Sequence, residues 1–408
     1  MLFLLVCNTS GKTQQHLINF SGYLRLNDSI QLPVRFELER INTSRIIYIH
    51  NAEEVITVNE VTETDDSLNW KMPVFDSEFR CVKIIEKAGL HLAGKWINHS
   101  RTTKNIIAFE AFEVRSNIPN TGNDINFPNA SFFTSNWETT FSPGTPDSSK
   151  AIGVFRKGPN QGNIYGTFLT ETGDYRYLEG YYSLKDESFN LYCFDGSHAF
   201  YFRARKNRNG SYTGDFWSGS HWHEKWNAVH NPGYQLRDPE KLTTLNPSAA
   251  VDFTFYDTKG NKVSLHDERF KNKVVIVQIM GSWCPNCMDE SLWLSDVYRK
   301  YNKEGLEVIG LSYEKSTDTS KSNASVNRMT ARLNIPYTVL NTGKTGKNQA
   351  SESLPFLNGI MAFPTTIYID KKGVVRKIYT GYNGPATGKA YDAQNDAALR
   401  LILQLLHE

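Results

Sequence analysis

"GSWCPNCMDE", residues 281–290, decides how the C-terminal part of the chain is read. Cys284 and Cys287 stand two residues apart, with Trp283 before them and Glu290 after. Ahead of the pair runs "VVIVQIM" (274–280), a continuous apolar stretch that suits a strand buried on both faces. Behind it, Trp293, Val297 and Tyr301, and likewise Leu294 and Tyr298, recur at intervals of four, which predicts a helix stopped by Gly305. A CxxC between a buried strand and a helix start has a physical logic. The free N–H groups and the dipole of the helix start favour a thiolate, and such sites bring a cysteine pKa from about 8.5 down to between about 3.5 and 7.5. Cys284 is expected to be exposed at the corner as the attacking sulfur. Cys287, nearly one turn in, is expected to be buried and to resolve the mixed disulfide. Pro285 fits the first helical turn, which needs no backbone donor, and Trp283 can cover one side of the sulfurs. A zinc site would need a second ligand pair, and the next histidine after Cys287 is His407; no metal is expected.

Working outward, "LEVIGLSYE" (306–314) reads as another buried strand, 321–333 as a helix and 337–340 as a short strand. "TTIYID" and "VVRKIYTG" flank the turn Lys371-Lys372-Gly373 as a hairpin, and 391–407 make a closing amphipathic helix. Alternating strands and helices imply an α/β unit with parallel pairing over 251–408. The stretch 231–250 carries three prolines and reads as a linker (236–250) with few contacts across it, so that the parts it joins should be separable.

Residues 15–235 read as β, in short alternating runs such as "EVITVNEV" (54–61) and "AFYFRAR" (199–205). An internal echo divides them. Phe75-Asp76-Ser77 answers Phe194-Asp195-Gly196, and Gly94-Lys95-Trp96 answers Gly214-Asp215-Phe216, at nearly equal spacing. Two similar β modules are expected, 15–125 and 126–235. His221 and His223, in an aromatic cluster, are read as lying on one strand face and as structural rather than metal-binding.

The chain has 408 residues, enough for several domains. Its 45 basic and 43 acidic residues nearly cancel, and with no basic block nucleic acid is not expected as a partner. Five cysteines are too few for a disulfide scaffold. Cys81 and Cys193 sit in separate apolar strands and are expected to be two buried thiols. "MLFLLVC" looks like the end of an apolar signal core running into Cys7, so 1–14 are expected to direct export and Cys7 is a candidate for lipidation and a lipid anchor.

The C-terminal part resembles the TlpA/ResA-like thioredoxin-fold thiol–disulfide oxidoreductases of bacteria. The resemblance rests on "GSWCPNCMDE", on "FPTTIYIDKKGVVRKIYTG" (363–381) and on "FTFYDTKGNKVSLHDERFKNKVVIVQI" (253–279). It implies a multidomain chain: a β-rich N-terminal region followed by an α/β thioredoxin fold. It also implies a redox disulfide Cys284–Cys287, a cis Phe363–Pro364 bond facing it, and Glu290 beside the buried cysteine as a proton carrier or as a helix-dipole partner only. Pro364 joins Cys284, Cys287 and Glu290 as catalytic, and Trp283, Pro285, Phe363 and Thr365 are implied in substrate binding. No cofactor is called for. Ordinary thioredoxins carry a buried Asp where this chain has Gln278, which cannot shuttle protons. The implied activity is disulfide exchange with protein thiols in the periplasm or cell envelope, in the reducing direction, with a membrane electron donor. The alternatives are an envelope docking protein whose β modules carry the main role, and a peroxiredoxin-like thiol peroxidase. Against the latter, the P-x-x-x-T-x-x-C context of a peroxidatic cysteine is missing.

Overall fold

The computed structural model describes residues 15–114 and 130–408. Cys7 with its signal-like segment, and the expected module boundary at 125–126, lie outside the described residues. The first β module is a nine-stranded antiparallel sheet in which the opening strand, Gln15–Arg25, pairs both with Gln31–Ile41 and with the last strand, Ile106–Val114. Strand alternation turns Phe20, Phe36, Trp70, Phe79 and Phe109 inward, and the rings stack at 4.8 Å (Phe20–Phe36) and 4.5 Å (Trp70–Phe79).

The second module has the same plan and closes. Trp137–Phe141 pairs with Ser149–Lys157 and with the last strand, Trp222–His230, and Ser149–Lys157 also pairs with Asn163–Thr170, which completes a ring. Closure removes the sheet edges. Phe141, Phe168, Phe202, Phe216 and Trp226 fill the inside. The echoed segments occupy corresponding places. The strands Ser67–Lys71, Ser77–Glu86 and Gly89–Asn98 in one module, and Ser188–Phe194, Ala199–Lys206 and Tyr212–Ser218 in the other, directly precede the strand that returns to the first. Even the glycines correspond. A Cβ at Gly94 would stand 2.1 Å from the Arg80 carbonyl oxygen, and one at Gly214 would stand 2.0 Å from that of Arg203; only glycine permits either approach.

The C-terminal sheet has seven strands. At its centre Val274–Met280, buried throughout, pairs in parallel with Leu306–Glu314 and antiparallel with Thr365–Ile369. Thr338–Thr345 extends the parallel side and Val375–Thr380 the antiparallel side. Alternate residues face two cores: Val274, Ile276 and Met280 meet the helices Pro285–Tyr301, Thr319–Arg332 and Lys389–His407, while Val275, Val277 and Ile279 pack under Phe270, Ala350 and Phe356. This is the thioredoxin arrangement. Gly346–Ser353, a short helix absent from the sequence reading, covers the second face.

The three parts do not behave as beads on a string. Phe194 of the second module sits in the core of the first, 5.4 Å from Phe79 and 5.1 Å from Trp96. The segment read as a linker is pinned rather than loose. Lys377 pairs with Glu240 at 2.6 Å, Asn246 hydrogen-bonds to both Pro355 and Phe356, and Thr243 is wholly buried. The expectation of few contacts across it therefore fails: Pro239 opens the short helical turn Pro239–Lys241, and the chain around it is packed. At the centre of the assembly Arg176 of the second module, 3% exposed, donates to Glu54 of the first module and to Asp289 of the helix Pro285–Tyr301. Removing one partner of a buried ion pair costs about 3–5 kcal/mol, because the others remain buried and unpaired. Arg176→Ala is therefore expected to lower the unfolding free energy of the full chain by about that amount. A loss below about 1 kcal/mol in chemical denaturation would show that the three parts are held by apolar contact alone.

Candidate active site

The helix Pro285–Tyr301 starts where the sequence places it. Cys284 is its N-cap, its sulfur accepting the Cys287 backbone N–H at 3.2 Å, and Pro285 takes the first helical position. Cys284 and Cys287 form a disulfide with Cα atoms 5.2 Å apart. The Phe363–Pro364 peptide is cis, and the Phe363 carbonyl oxygen lies 3.6 Å from the Cys284 sulfur. Trp283 is fixed by its ring N–H donating to the Tyr313 carbonyl at 3.0 Å and meets Phe363 edge-on at 5.7 Å. Thr365 turns back to donate to the Ala362 carbonyl and braces the proline turn, and it is fully buried.

Below the disulfide lies a closed polar network. Glu290 accepts from Thr366 Oγ1 at 2.6 Å and from Gln278 Nε2 at 2.8 Å, and the same Gln278 amide reaches the Cys287 carbonyl at 3.2 Å. Gln278 accepts in turn from Ser291 at 2.9 Å. Burial raises the Glu290 carboxyl to about 7 against the two hydrogen bonds that favour its charged form. Gln278 thus carries no proton but links Glu290 to the turn that holds Cys287. Thr366 was not singled out from sequence. The register pairing it with Gln278 puts both on the helix-facing side of the sheet, and strand alternation was the available signal.

One expectation is overturned. Cys284 is not exposed: it retains 6% of its surface, and Cys287 none. Val74 and Phe75 of the first module pack in one apolar cluster with both cysteines, and Ser197 of the second module donates to the Trp283 carbonyl at 3.4 Å. These are the two echoed Phe-Asp turns. They also bind each other, through Ser77 Oγ to the Gly196 carbonyl at 2.6 Å and Asn98 Nδ2 to the Ser197 carbonyl at 3.0 Å. The residue pair between the cysteines is covered too: Asn286 donates to Asp174 at 3.1 Å, and Gly173, at φ +145°, lies so close to Asn286 that a Cβ would collide with it. Asp289, two residues beyond Cys287, is held at about 7 by burial against the pull of Arg176.

The other cysteines stay apart from this chemistry. Cys81 and Cys193 are free and buried, as expected, in the cores of different modules, and burial pushes the Cys81 thiol to about 12. His221 lies in the turn before the strand Trp222–His230, not on it beside His223, so the two do not share a strand face. His223 pairs with Asp215 at 2.8 Å.

Residues 246–395 match the Redoxin family. Over 142 residues the chain is 28% identical to the thiol-disulfide oxidoreductase ResA of Geobacillus kaustophilus, covering 35% of this chain and 73% of that protein. It is 31% identical over 140 residues to peroxiredoxin Q of Oryza sativa subsp. japonica, covering 34% of this chain and 60% of that one. A solved structure, a putative thiol:disulfide interchange protein DsbE from Chlorobium tepidum, aligns with 38% of this chain and 93% of its own at 22% identity and a TM-score of 0.30. The C-terminal part is a redoxin domain of thioredoxin fold, similar to the ResA proteins, and it makes the protein a thioredoxin-like thiol–disulfide oxidoreductase.

The raised carboxyls set a pH dependence. A carboxyl whose folded pKa lies above its unfolded value keeps its proton in the fold while the unfolded chain loses it, so stability falls as pH rises between the two values. For Asp289 (ordinarily 3.8) and Glu290 (ordinarily 4.5), both near 7 in the fold, the unfolding free energy is expected to drop from about pH 4 to 7 and level off above. Glu290→Gln should flatten part of that slope. A profile rising over this window in denaturant titrations would contradict the burial argument.

Proposed function

We propose that the protein reduces disulfides of exported proteins through Cys284 and Cys287, in the envelope of a bacterium, with electrons resupplied by a membrane-bound thiol donor. The observation that carries the reading is the meeting at one point of the N-capping Cys284 sulfur, the cis Phe363–Pro364 turn and the buried Glu290 network. In the reduced protein the Cys284 thiolate attacks a substrate disulfide. A Cys284–substrate bond forms, the substrate S–S bond breaks and one substrate thiolate leaves. Cys287 then passes its proton to the Glu290 carboxylate and attacks the Cys284 sulfur. The intramolecular disulfide forms, and the second substrate thiolate leaves and recovers the proton. Two electrons and one proton pass from the thiolate–thiol form of the protein to the substrate, the first substrate thiolate takes its proton from solvent, and the oxidised product is the form described above. An external dithiol resets it.

The reducing direction is supported by the surroundings of the sulfurs. Both are buried, and the Phe363 carbonyl beside Cys284 can accept from a thiol but repels a thiolate. Burial and this carbonyl work against the thiolate that the helix start favours, and such opposition favours the disulfide and makes the dithiol the better electron donor. The envelope location rests on the signal-like first residues and on the resemblance. Among the described residues no helix is long and apolar enough to cross a membrane.

Trapping separates the two sulfurs. Cys287→Ser is expected to accumulate a stable mixed disulfide with a reporter such as oxidised insulin, while Cys284→Ser should form none above background. If Cys284→Ser traps and Cys287→Ser does not, the roles are reversed. If neither traps and the native protein reduces nothing, the assignment of the activity to this dithiol falls.

A further inference from the structure

A cavity of about 560 Å³ opens beside the disulfide, bounded by both the first module and the thioredoxin domain. Phe75 and Trp283 line it together with Ser197, and Lys315, Lys321 and Arg328 bring positive charge to it. Trp283 directly precedes Cys284, and Phe75 belongs to the apolar cluster that holds both cysteines, so a ligand seated here lies next to the residue that carries the attacking sulfur. The Lys315 ammonium rests over the Trp283 ring, 4.7 Å from its centre.

The charge around this opening is one-sided. Arg328 is met by Asp76 at 3.5 Å. Lys315 and Lys321 have no carboxylate within ion-pair distance among the described residues. The nearby acids are committed elsewhere: Glu314 is buried and accepts from Ser282 and Ser312, and Asp195 is buried and accepts from Ser197 and His198. His221, in the turn before the strand Trp222–His230, feels part of this charge. Burial, and then Arg101, His198, Lys104 and Lys315, hold its imidazole down at about 4.

We propose that this cavity recognises carboxylates carried by the substrate beside its disulfide, that is, acidic peptide segments flanking the target cysteine. An aromatic floor with unneutralised cations at the rim suits a short acidic stretch of chain, and the volume falls within the range of about 300–1,000 Å³ typical of ligand sites. The inference rests on the function proposed above, whose substrate class it names. Lys315 and Lys321 act on a ligand from exposed positions, so the interaction is screened by salt over a Debye length of about 10 Å at 0.1 M.

The test is made on the full-length oxidised protein, without turnover. Two fluorescent peptides of equal length, each with Ser in place of the target Cys and flanked by Asp or by Lys, are titrated by anisotropy. The Asp peptide is expected to bind at least about 10-fold more tightly at low salt, with the advantage shrinking as salt rises. In Lys315→Glu/Lys321→Glu, where both changed side chains are exposed, the preference should disappear or reverse. Equal affinity for the two peptides, or an acidic preference that survives the double reversal, overturns the proposal. Reduction of the uncharged bis(2-hydroxyethyl) disulfide by the pre-reduced protein is measured alongside. That reaction reports on the dithiol alone, so a failure of recognition is distinguishable from a failure of the redox chemistry.

Discussion

One guanidinium ties the molecule together. Arg176 is buried where the two β modules and the catalytic helix converge, and it faces Glu54, Asp289 and, at longer range, Asp174. Three carboxyl groups around one cation cannot all be charged cheaply in a desolvated place. Burial accordingly raises both Asp174 and Asp289, against the pull of Arg176. Its geometric consequence matters more than its energy. Asp289 belongs to the helix that begins at Cys284, so fixing Arg176 also fixes the second module over the start of that helix, and with it Asp174 over Asn286 and Ser197 over Trp283.

The dithiol is therefore roofed. In a bare thioredoxin domain a CxxC at a strand–helix corner presents its first sulfur to solvent; here an apolar turn, Val74-Phe75, takes that place. The roof is made by repetition. A Phe-Asp turn precedes the same strand in each module, and the two turns meet through Ser77, Gly196, Asn98 and Ser197.

Much of the C-terminal architecture was legible because it depends on local signals. The run Val274–Met280 is apolar enough to be buried on both faces, and the spacing from Leu294 to Tyr301 is helical; Pro285 and Gly305 mark the ends. The plan of the β modules was legible only through the echo, since hairpin registers and ring closure depend on pairings far apart in sequence. The roof was not legible at all. Phe75 and Cys284 are separated by the rest of the first module and the whole of the second, and Phe75 in isolation reads as an ordinary turn aromatic. The exposure expected for Cys284 failed for that reason. Glycine and proline misled in a similar way at 231–250, where breaker residues mark the end of a pattern but say nothing about whether the chain is packed.

Asp289 and Glu290 show how one helical turn can serve two ends. They are adjacent in sequence, so the helix sends them in directions about 100° apart. Asp289 points to Arg176 and the modules, while Glu290 points to Thr366 and Gln278 in the sheet. Burial brings both carboxyls to about 7, where a proton is gained or lost with little free-energy cost near neutrality. In the proposed reaction such a value suits exchange with Cys287, since a group of ordinary acidity would accept the thiol proton poorly and one far above neutrality would never release it. For Asp289 the same value means that the charge balance around Arg176 sits close to its midpoint. The proposed proton exchange with Cys287 and the contact of Asp289 with Arg176 thus share one range of pH, through neighbouring residues of a single helix.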